Sequence, residues 1–338
     1  MKFLFLLPGH QYNDAIWHAQ SLASALKARE HEVLFALGEH AGLIELFETG
    51  GFAVEPLLAA KGGLLSRMRQ SRRLKRLSRT CRPDFIITYG NPPAGWHHFK
   101  GARSVGVVWE WQPKTPWVSR LWRTVAACEQ IRGRLLDRYG LTKDRIYTIH
   151  GGLDPVGAPS AKRDTIRNEL RIEPKNILVG ILGAVNEHSG HDLLLQAMAN
   201  DYHPNLKLLA WVDTPEEIER FRQLARRYNI SSIAHAQVRP HGCIESLQAL
   251  DLGVIADRKP AGVARKAIEL MAAGVPVVSA DRGADAEVCS PENRFESGVA
   301  ASLMDRIISH GPNTARFDRQ RVYDELMLLL GENERAAG

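Results

Sequence analysis

Short apolar runs alternate along this chain with stretches whose apolar residues recur every three or four positions. The runs Phe3–Leu7, Glu32–Leu37, Phe85–Thr88 and Val105–Trp109 read as buried strands of a parallel sheet. Thr124–Cys128 and Ile146–Ile149 predict two more. Between the first two runs, Ile16, Ala19, Leu22, Ala23 and Leu26 share one helical face across Ala15–Arg29. The stretch from Gly151 to Ser160 is rich in turn formers and lacks periodicity, which predicts a hinge. The alternation then restarts. Ile177–Leu182, Leu206–Val212, Ile233–Ala236, Leu252–Ala256 and Val275–Ser279 predict strands, with helices over His191–Met198, Pro215–Tyr228 and Ile244–Leu250. A last helix is predicted over Arg319–Leu330.

This order predicts an α/β fold of two Rossmann-like, doubly wound domains facing a central cleft. Ligands are expected at the carboxyl ends of the strands. The expected boundaries are 1–152, 153–316 and a C-terminal segment, 317–338, that crosses back toward the first domain. At 338 residues the chain exceeds one ordinary core. Its opening apolar run stops at Pro8–Gly9, too short for a signal-peptide core or a membrane span. The cysteines, Cys81, Cys128, Cys243 and Cys289, have no paired spacing. Neither a zinc site nor a disulfide framework is expected, and a reducing cytoplasm fits.

Charge adds one feature. The net charge is +6, and Arg67, Arg69, Arg72, Arg73, Lys75, Arg76, Arg79 and Arg82 cluster in one stretch. Leu64, Leu65, Met68, Leu74, Leu77 and Cys81 are interleaved with them, so 64–82 predicts a basic amphipathic helix. Three readings stay open: an apolar stripe packed on a sheet, a patch for anionic lipid or a lipid-phosphate acceptor, or a nucleic-acid surface. The last lacks an aromatic platform or a recognition motif, so no nucleic-acid partner is expected. Peripheral contact with the inner face of an anionic membrane is the sharper expectation.

Two blocks carry a family resemblance. One runs from Ala126-Ala127-Cys128-Glu129 through Leu135-Leu136-Asp137-Arg138-Tyr139-Gly140 to Lys143–Asp154; the other is Lys266-Ala267-Ile268-Glu269-Leu270-Met271-Ala272-Ala273-Gly274-Val275-Pro276-Val277-Val278. Gly180–Ala199, with Gly190-His191-Asp192-Leu193-Leu194-Leu195, and Gly283 followed by Glu287-Val288 add to them. Together they resemble the retaining GT-B glycosyltransferases of family 4, group 1. The resemblance covers most of 120–330 and implies metal-independent transfer from a nucleotide-sugar, with no cofactor. It also implies that Glu269 bonds the ribose hydroxyls and that Lys266 sits near the phosphates. On physical grounds, Gly262 and the helix after it offer N–H groups and a positive dipole end to a diphosphate.

The donor pattern is incomplete. Where the family has a Gly-Arg-Leu turn and then Lys-Gly, this chain reads Gly183-Ala184-Val185 and Ser189-Gly190. Where it has a first glutamate, eight positions before Glu269, stands Ala261. Arg258, Lys259 and Arg265 on one side, and Asn186, Glu187 and His188 on the other, are the candidate replacements. Gly183 and Ile268 complete the expected donor set. For the acceptor, the loop after the first strand offers His10, Asn13 and Asp14. Glu110, within Trp109-Glu110-Trp111-Gln112, stands where relatives place a catalytic histidine; His97 and His98 are weaker options. Trp96, Trp109, Trp111, Trp117 and Trp122 suit sugar stacking, a membrane interface or core packing equally well. Lys266, Glu269 and Glu110 are thus the expected catalytic residues of a hexosyl-type transferase. Its acceptor is expected to be an envelope polysaccharide, lipopolysaccharide or glycolipid. A non-catalytic relative that binds a sugar nucleotide or a partner transferase is the alternative.

Overall fold

Seven parallel strands form the sheet of the first unit, in the order β3-β2-β1-β4-β5-β6-β7. They are β1 (Lys2–Leu7), β2 (Glu32–Gly38), β3 (Ala53–Leu57), β4 (Phe85–Tyr89), β5 (Arg103–Val108), β6 (Arg123–Ala126) and β7 (Ile146–Thr148). The connecting helices are α1 (Asp14–Lys27), α2 (Ala41–Thr49), α3 (Leu64–Thr80) and α4 (Glu129–Tyr139). The computed structural model describes residues 1–7, 14–57, 63–110, 115–157, 161–239, 243–259, 262–310 and 317–331. The chain divides into two compact units, Met1–Gly152 with the segment that begins at Arg319, and Leu153–Asp318.

The first unit closes over one face with α1, whose Ile16, Ala19, Leu22, Ala23 and Leu26 are buried with Phe3, Phe5 and Phe35. The helical periodicity read from the sequence is therefore the packed face. Two polar ties lock α1 to the end of β7. His18 Nε2 donates to Ile149 O at 2.7 Å and its Nδ1 accepts from the Tyr89 hydroxyl at 2.7 Å. Ser21 Oγ bonds both Gly152 O (2.9 Å) and Gly152 N (2.7 Å).

The second unit repeats the plan. After α5 (Ala161–Glu169) come β8 (Ile177–Leu182), α6 (His191–Asn200), β9 (Leu206–Val212), α7 (Pro215–Arg227) and β10 (Ala234–Val238). Then follow β11 (Leu252–Ile255), α8 (Arg265–Ala272), β12 (Val277–Ala280), α9 (Gly283–Val288), β13 (Arg294–Phe295) and α10 (Ala300–Ser309). All pairings are parallel, in the order β10-β9-β8-β11-β12-β13, so strand order reverses between β8 and β11. The last helix, α11 (Arg319–Leu330), buries Val322, Leu326, Met327, Leu329 and Leu330 in the core of the first unit.

Three expectations change. β3 was not foreseen, because Glu55 and Pro56 interrupt its apolar run; it is an edge strand, where a proline costs no ladder bond. Ile244–Leu250 forms only a short 3-10 turn, Glu245–Ala249, instead of an α-helix. The carbonyls of Gln248, Ala249 and Leu250 accept from Arg163 and Arg167 of α5, which also grip Asp251 at 2.8 Å each. Those guanidiniums tie off the turn. Third, the apolar residues of α3 do not form one packed stripe: Leu74 is buried, while Leu64, Leu65 and Met68 are exposed.

Candidate functional site

The reversal point between β8 and β11 is where an open parallel sheet holds a ligand, outside the carboxyl ends of its strands. Here β8 leads into Gly183–Gly190 and β11 into Ala256–Lys259. Gly190 has φ +69°, and a Cβ there would lie 2.1 Å from Ala256 O. The two loops are therefore packed backbone to backbone, and only glycine fits. The first loop is tied internally: Asn186 Oδ1 accepts from His188 N (2.9 Å) and Ser189 Oγ donates to Asn186 O (2.9 Å).

Glu269 is buried, at 4% exposure, on α8. Its Oε1 accepts from Arg265 Nε at 2.8 Å, one helical turn back, and its Oε2 from an Arg239 Nη at 2.6 Å. Arg239 directly follows β10, so the carboxylate is held from two elements. Lys266 donates to both oxygens of Asp257, at 3.0 and 2.7 Å, beside Gly183. Gly183 has φ +100°, a backbone conformation that favours glycine, and a Cβ there would lie in ordinary contact with Lys266 Nζ at 3.5 Å, which places the ammonium beside the loop after β8.

Arg258 makes a two-pronged contact with Asp192, at 2.8 and 2.7 Å, and donates to Glu187 O at 2.9 Å. Burial pushes Asp192 upward, but the Arg258 bond and charge outweigh it and leave the carboxyl below its usual range. His191 bonds Ser189 Oγ through Nδ1 at 2.7 Å, and its buried Nε2 has no partner among the described residues. Burial, aided by the Lys266 charge, pulls His191 down to about 3, so it stays neutral at pH 7. The start of α8 is partly occupied, since Ala267 N–H is taken by buried Asp285 at 3.2 Å.

The expected donor residues thus converge in one place: Gly183, Lys266, Arg265, Glu269 and Arg258. Asn186, His188 and Lys259 are exposed on the two loops, and Gly262 is half-buried. Ile268 is different. It is buried within α8, and its N–H donates to Ala264 O at 3.0 Å. Arg239, Asp257, Asp192 and Asp285 belong to the constellation and were not foreseen. In the first unit, Asp14 opens α1 and Glu110 follows β5, both exposed. His10 and Asn13 lie outside the described residues. Trp109 packs on Tyr89 with ring centroids 5.8 Å apart, and His98 Nε2 bonds Ser71 Oγ on α3 at 3.1 Å.

Residues 17–156 match the model of Glycosyltransferase Family 4, and residues 162–309 match that of Glycosyl transferases group 1. The chain belongs to the family 4, group 1 glycosyltransferases. Its two doubly wound units are those of the GT-B fold. This family member is 25% identical to YtcC of Bacillus subtilis over 224 residues, 61% of this chain and 53% of the relative, so it spans about half of that relative's length. A glycosyltransferase structure from Rickettsia africae superposes with a TM-score of 0.80 at 14% identity, covering 99% of this chain and 97% of the other. HepE of Anabaena, solved with UDP and glucose, superposes with a TM-score of 0.73 at 17% identity, covering 100% of this chain and 99% of the other. Among the described residues, no helix is long and apolar enough to cross a membrane.

Proposed function

We propose that this protein transfers a glycosyl group, of the hexosyl type, from a nucleotide-sugar to an acceptor, with retention at the anomeric carbon. The observation that carries this reading is Glu269 and Lys266 one turn apart on α8, with Lys266 beside Gly183 in the loop after β8 at the strand-order reversal. That HepE was solved with UDP and glucose supports a nucleotide-sugar as the co-substrate. In this reading the second unit holds the donor. Glu269 takes the ribose hydroxyls, while Lys266, Arg265 and the start of α8 face the diphosphate, so developing negative charge on the leaving group meets fixed positive charge. Retention then rests on positioning, and the reading needs neither metal nor cofactor.

In the same reading the first unit supplies the acceptor side, with His10, Asn13 and Asp14 binding the acceptor and Glu110 as a catalytic group. An envelope polysaccharide, lipopolysaccharide or glycolipid acceptor, met in the cytoplasm at the inner face of the membrane, suits the basic helix α3. One observation favours a second reading, a relative that binds sugar nucleotide or a partner transferase without turnover. Ala184 and Ser189 stand where the family's two phosphate cations are expected, and Lys266, Arg258, Arg239 and Arg265 each already face a carboxylate. Two charge-assisted bonds, at about 1.5–3 kcal/mol each, correspond to roughly a hundredfold to ten-thousandfold in binding.

A thermal-shift screen against UDP-, GDP-, ADP- and CMP-sugars, followed by chromatographic assay of donor hydrolysis, separates the readings. A melting shift with slow hydrolysis supports transfer. A shift with no hydrolysis supports the non-catalytic reading, and no shift with any donor rejects both.

A further inference from the structure

On α3, Gln70 and Leu74 are buried and Leu77 is half-buried; these mark the face that packs on the first unit. At about 100° per residue, Leu65 and Met68 lie on the opposite face, and Leu64 stands on its flank in the first turn. These three apolar side chains are 74%, 72% and 46% exposed. Further along the same outward face stand Arg69, Arg72, Lys75, Arg76 and Arg79. The helix carries no acidic residue, and among the described residues only Arg73 of its cations is in an ion pair, with Glu39 at 2.5 Å. These apolar side chains stand in water at one end of a cationic helix face, where contact with water is unfavourable for apolar surface. Burial in water-free surroundings would favour the cluster, and fixed negative charge would favour the stripe. No aromatic residue lies in 64–80 to stack a base, which disfavours a single-stranded nucleic acid.

We propose that α3 docks the protein on an anionic bilayer: Leu64, Leu65 and Met68 enter the headgroup–acyl boundary, and the cations from Arg69 to Arg79 lie along the lipid phosphates. Both components are required. The apolar end alone is small, and exposed cations alone are screened beyond a Debye length of about 10 Å at 0.1 M salt. The inference is independent of which sugar or acceptor the protein uses.

The test is co-sedimentation of the full chain with vesicles of phosphatidylcholine alone and of phosphatidylcholine with phosphatidylglycerol. Binding is expected only to the anionic vesicles, and is expected to weaken at 0.5 M salt. Replacing Leu64, Leu65 and Met68 together by serine, or Arg69, Arg72, Lys75, Arg76 and Arg79 together by glutamine, is expected to lower the partition coefficient by about tenfold or more each. Circular dichroism checks that the variants fold; if either does not, Leu65→Ser and Arg72→Gln are read instead, with about threefold losses expected. Failure to sediment with anionic vesicles, equal binding to neutral ones, or either variant binding like the parent overturns the proposal. So does a gel shift with oligonucleotides in place of vesicle binding.

Discussion

Arg239, the residue after β10, reaches thirty positions along the chain to Glu269 and donates to its carboxylate at 2.6 Å. With Arg265 on the other oxygen, Glu269 is a buried acid held between two guanidiniums. Removing one partner of such a group leaves a buried charge uncompensated, at about 3–5 kcal/mol. Glu269→Ala is therefore expected to destabilise the protein more than Arg239→Ala, since the first strands two cations and the second leaves Glu269 one partner. Urea unfolding of both variants checks the order, and equal midpoints would refute it.

Lys266 is the cation best placed beside the loop after β8, and Asp257 holds it there. If it faces the diphosphate, Lys266→Ala is expected to weaken nucleotide binding by about tenfold to a hundredfold, the equivalent of one charge-assisted bond. Isothermal titration with UDP, or with whichever nucleotide gives the largest melting shift, measures this. Asp257→Asn keeps the shape while removing the competing charge, and is expected to leave affinity equal or raised. A fall for Asp257→Asn would mean that Asp257 has its own part in the ligand's contacts.

Much of this arrangement was legible in sequence where it is local. Lys266 and Glu269 lie one turn apart, so their shared helix face follows from spacing alone. Arg239 was not legible, because the predicted strand Ile233–Ala236 ends two residues before β10 does, which hid Arg239 as a strand-end residue. Asp192 becomes the partner of Arg258 only when the ends of β8 and β11 meet, while Asp257 and Lys266 pair nine positions apart, between the end of β11 and the first turn of α8. On α3, the apolar residues interleave with cations along the whole sequence, although helical angles place Leu65 and Met68 opposite Leu74 and Leu77, with Leu64 exposed at the flank of the first turn. β3 escaped notice since an edge strand need not be apolar throughout.

Gly190 and Gly183 make different demands, so the same substitution separates them. At Gly190 the added Cβ meets a backbone carbonyl, Ala256 O, at 2.1 Å, which cannot recede without moving the loop after β11. At Gly183 the nearest atoms are the flexible end of Lys266, at 3.4 and 3.5 Å. Left-handed backbone alone costs an L-residue about 1–2 kcal/mol. Gly183→Ala is expected to lower stability by about that much, and Gly190→Ala by clearly more, to the point of poor soluble yield. Thermal melts of the two variants decide; a Gly190→Ala protein as stable as Gly183→Ala would show that the loops are not tightly packed.

His18 ties α1 to β4 and to the residue after β7, and complete burial pulls its pKa down to about 4. His18 is neutral in the folded chain, because Nε2 must donate to Ile149 O while Nδ1 accepts from Tyr89. Unfolded, it titrates near 6.5. As pH falls from 6.5 toward 4, the unfolded chain therefore binds a proton that the folded chain refuses. Stability present above pH 6.5 is lost across that window, at up to about 1.4 kcal/mol per pH unit for each such histidine. His191, pulled down to about 3, adds the same sense of slope. His18→Leu is expected to lower stability at pH 7.5, where Tyr89 and Ile149 lose their partner, and also to flatten the pH dependence between 4 and 6.5. Unfolding free energies at half-unit pH steps measure both. An unchanged slope would mean that His18 takes up its proton in the folded state, against the donor and acceptor pattern seen here.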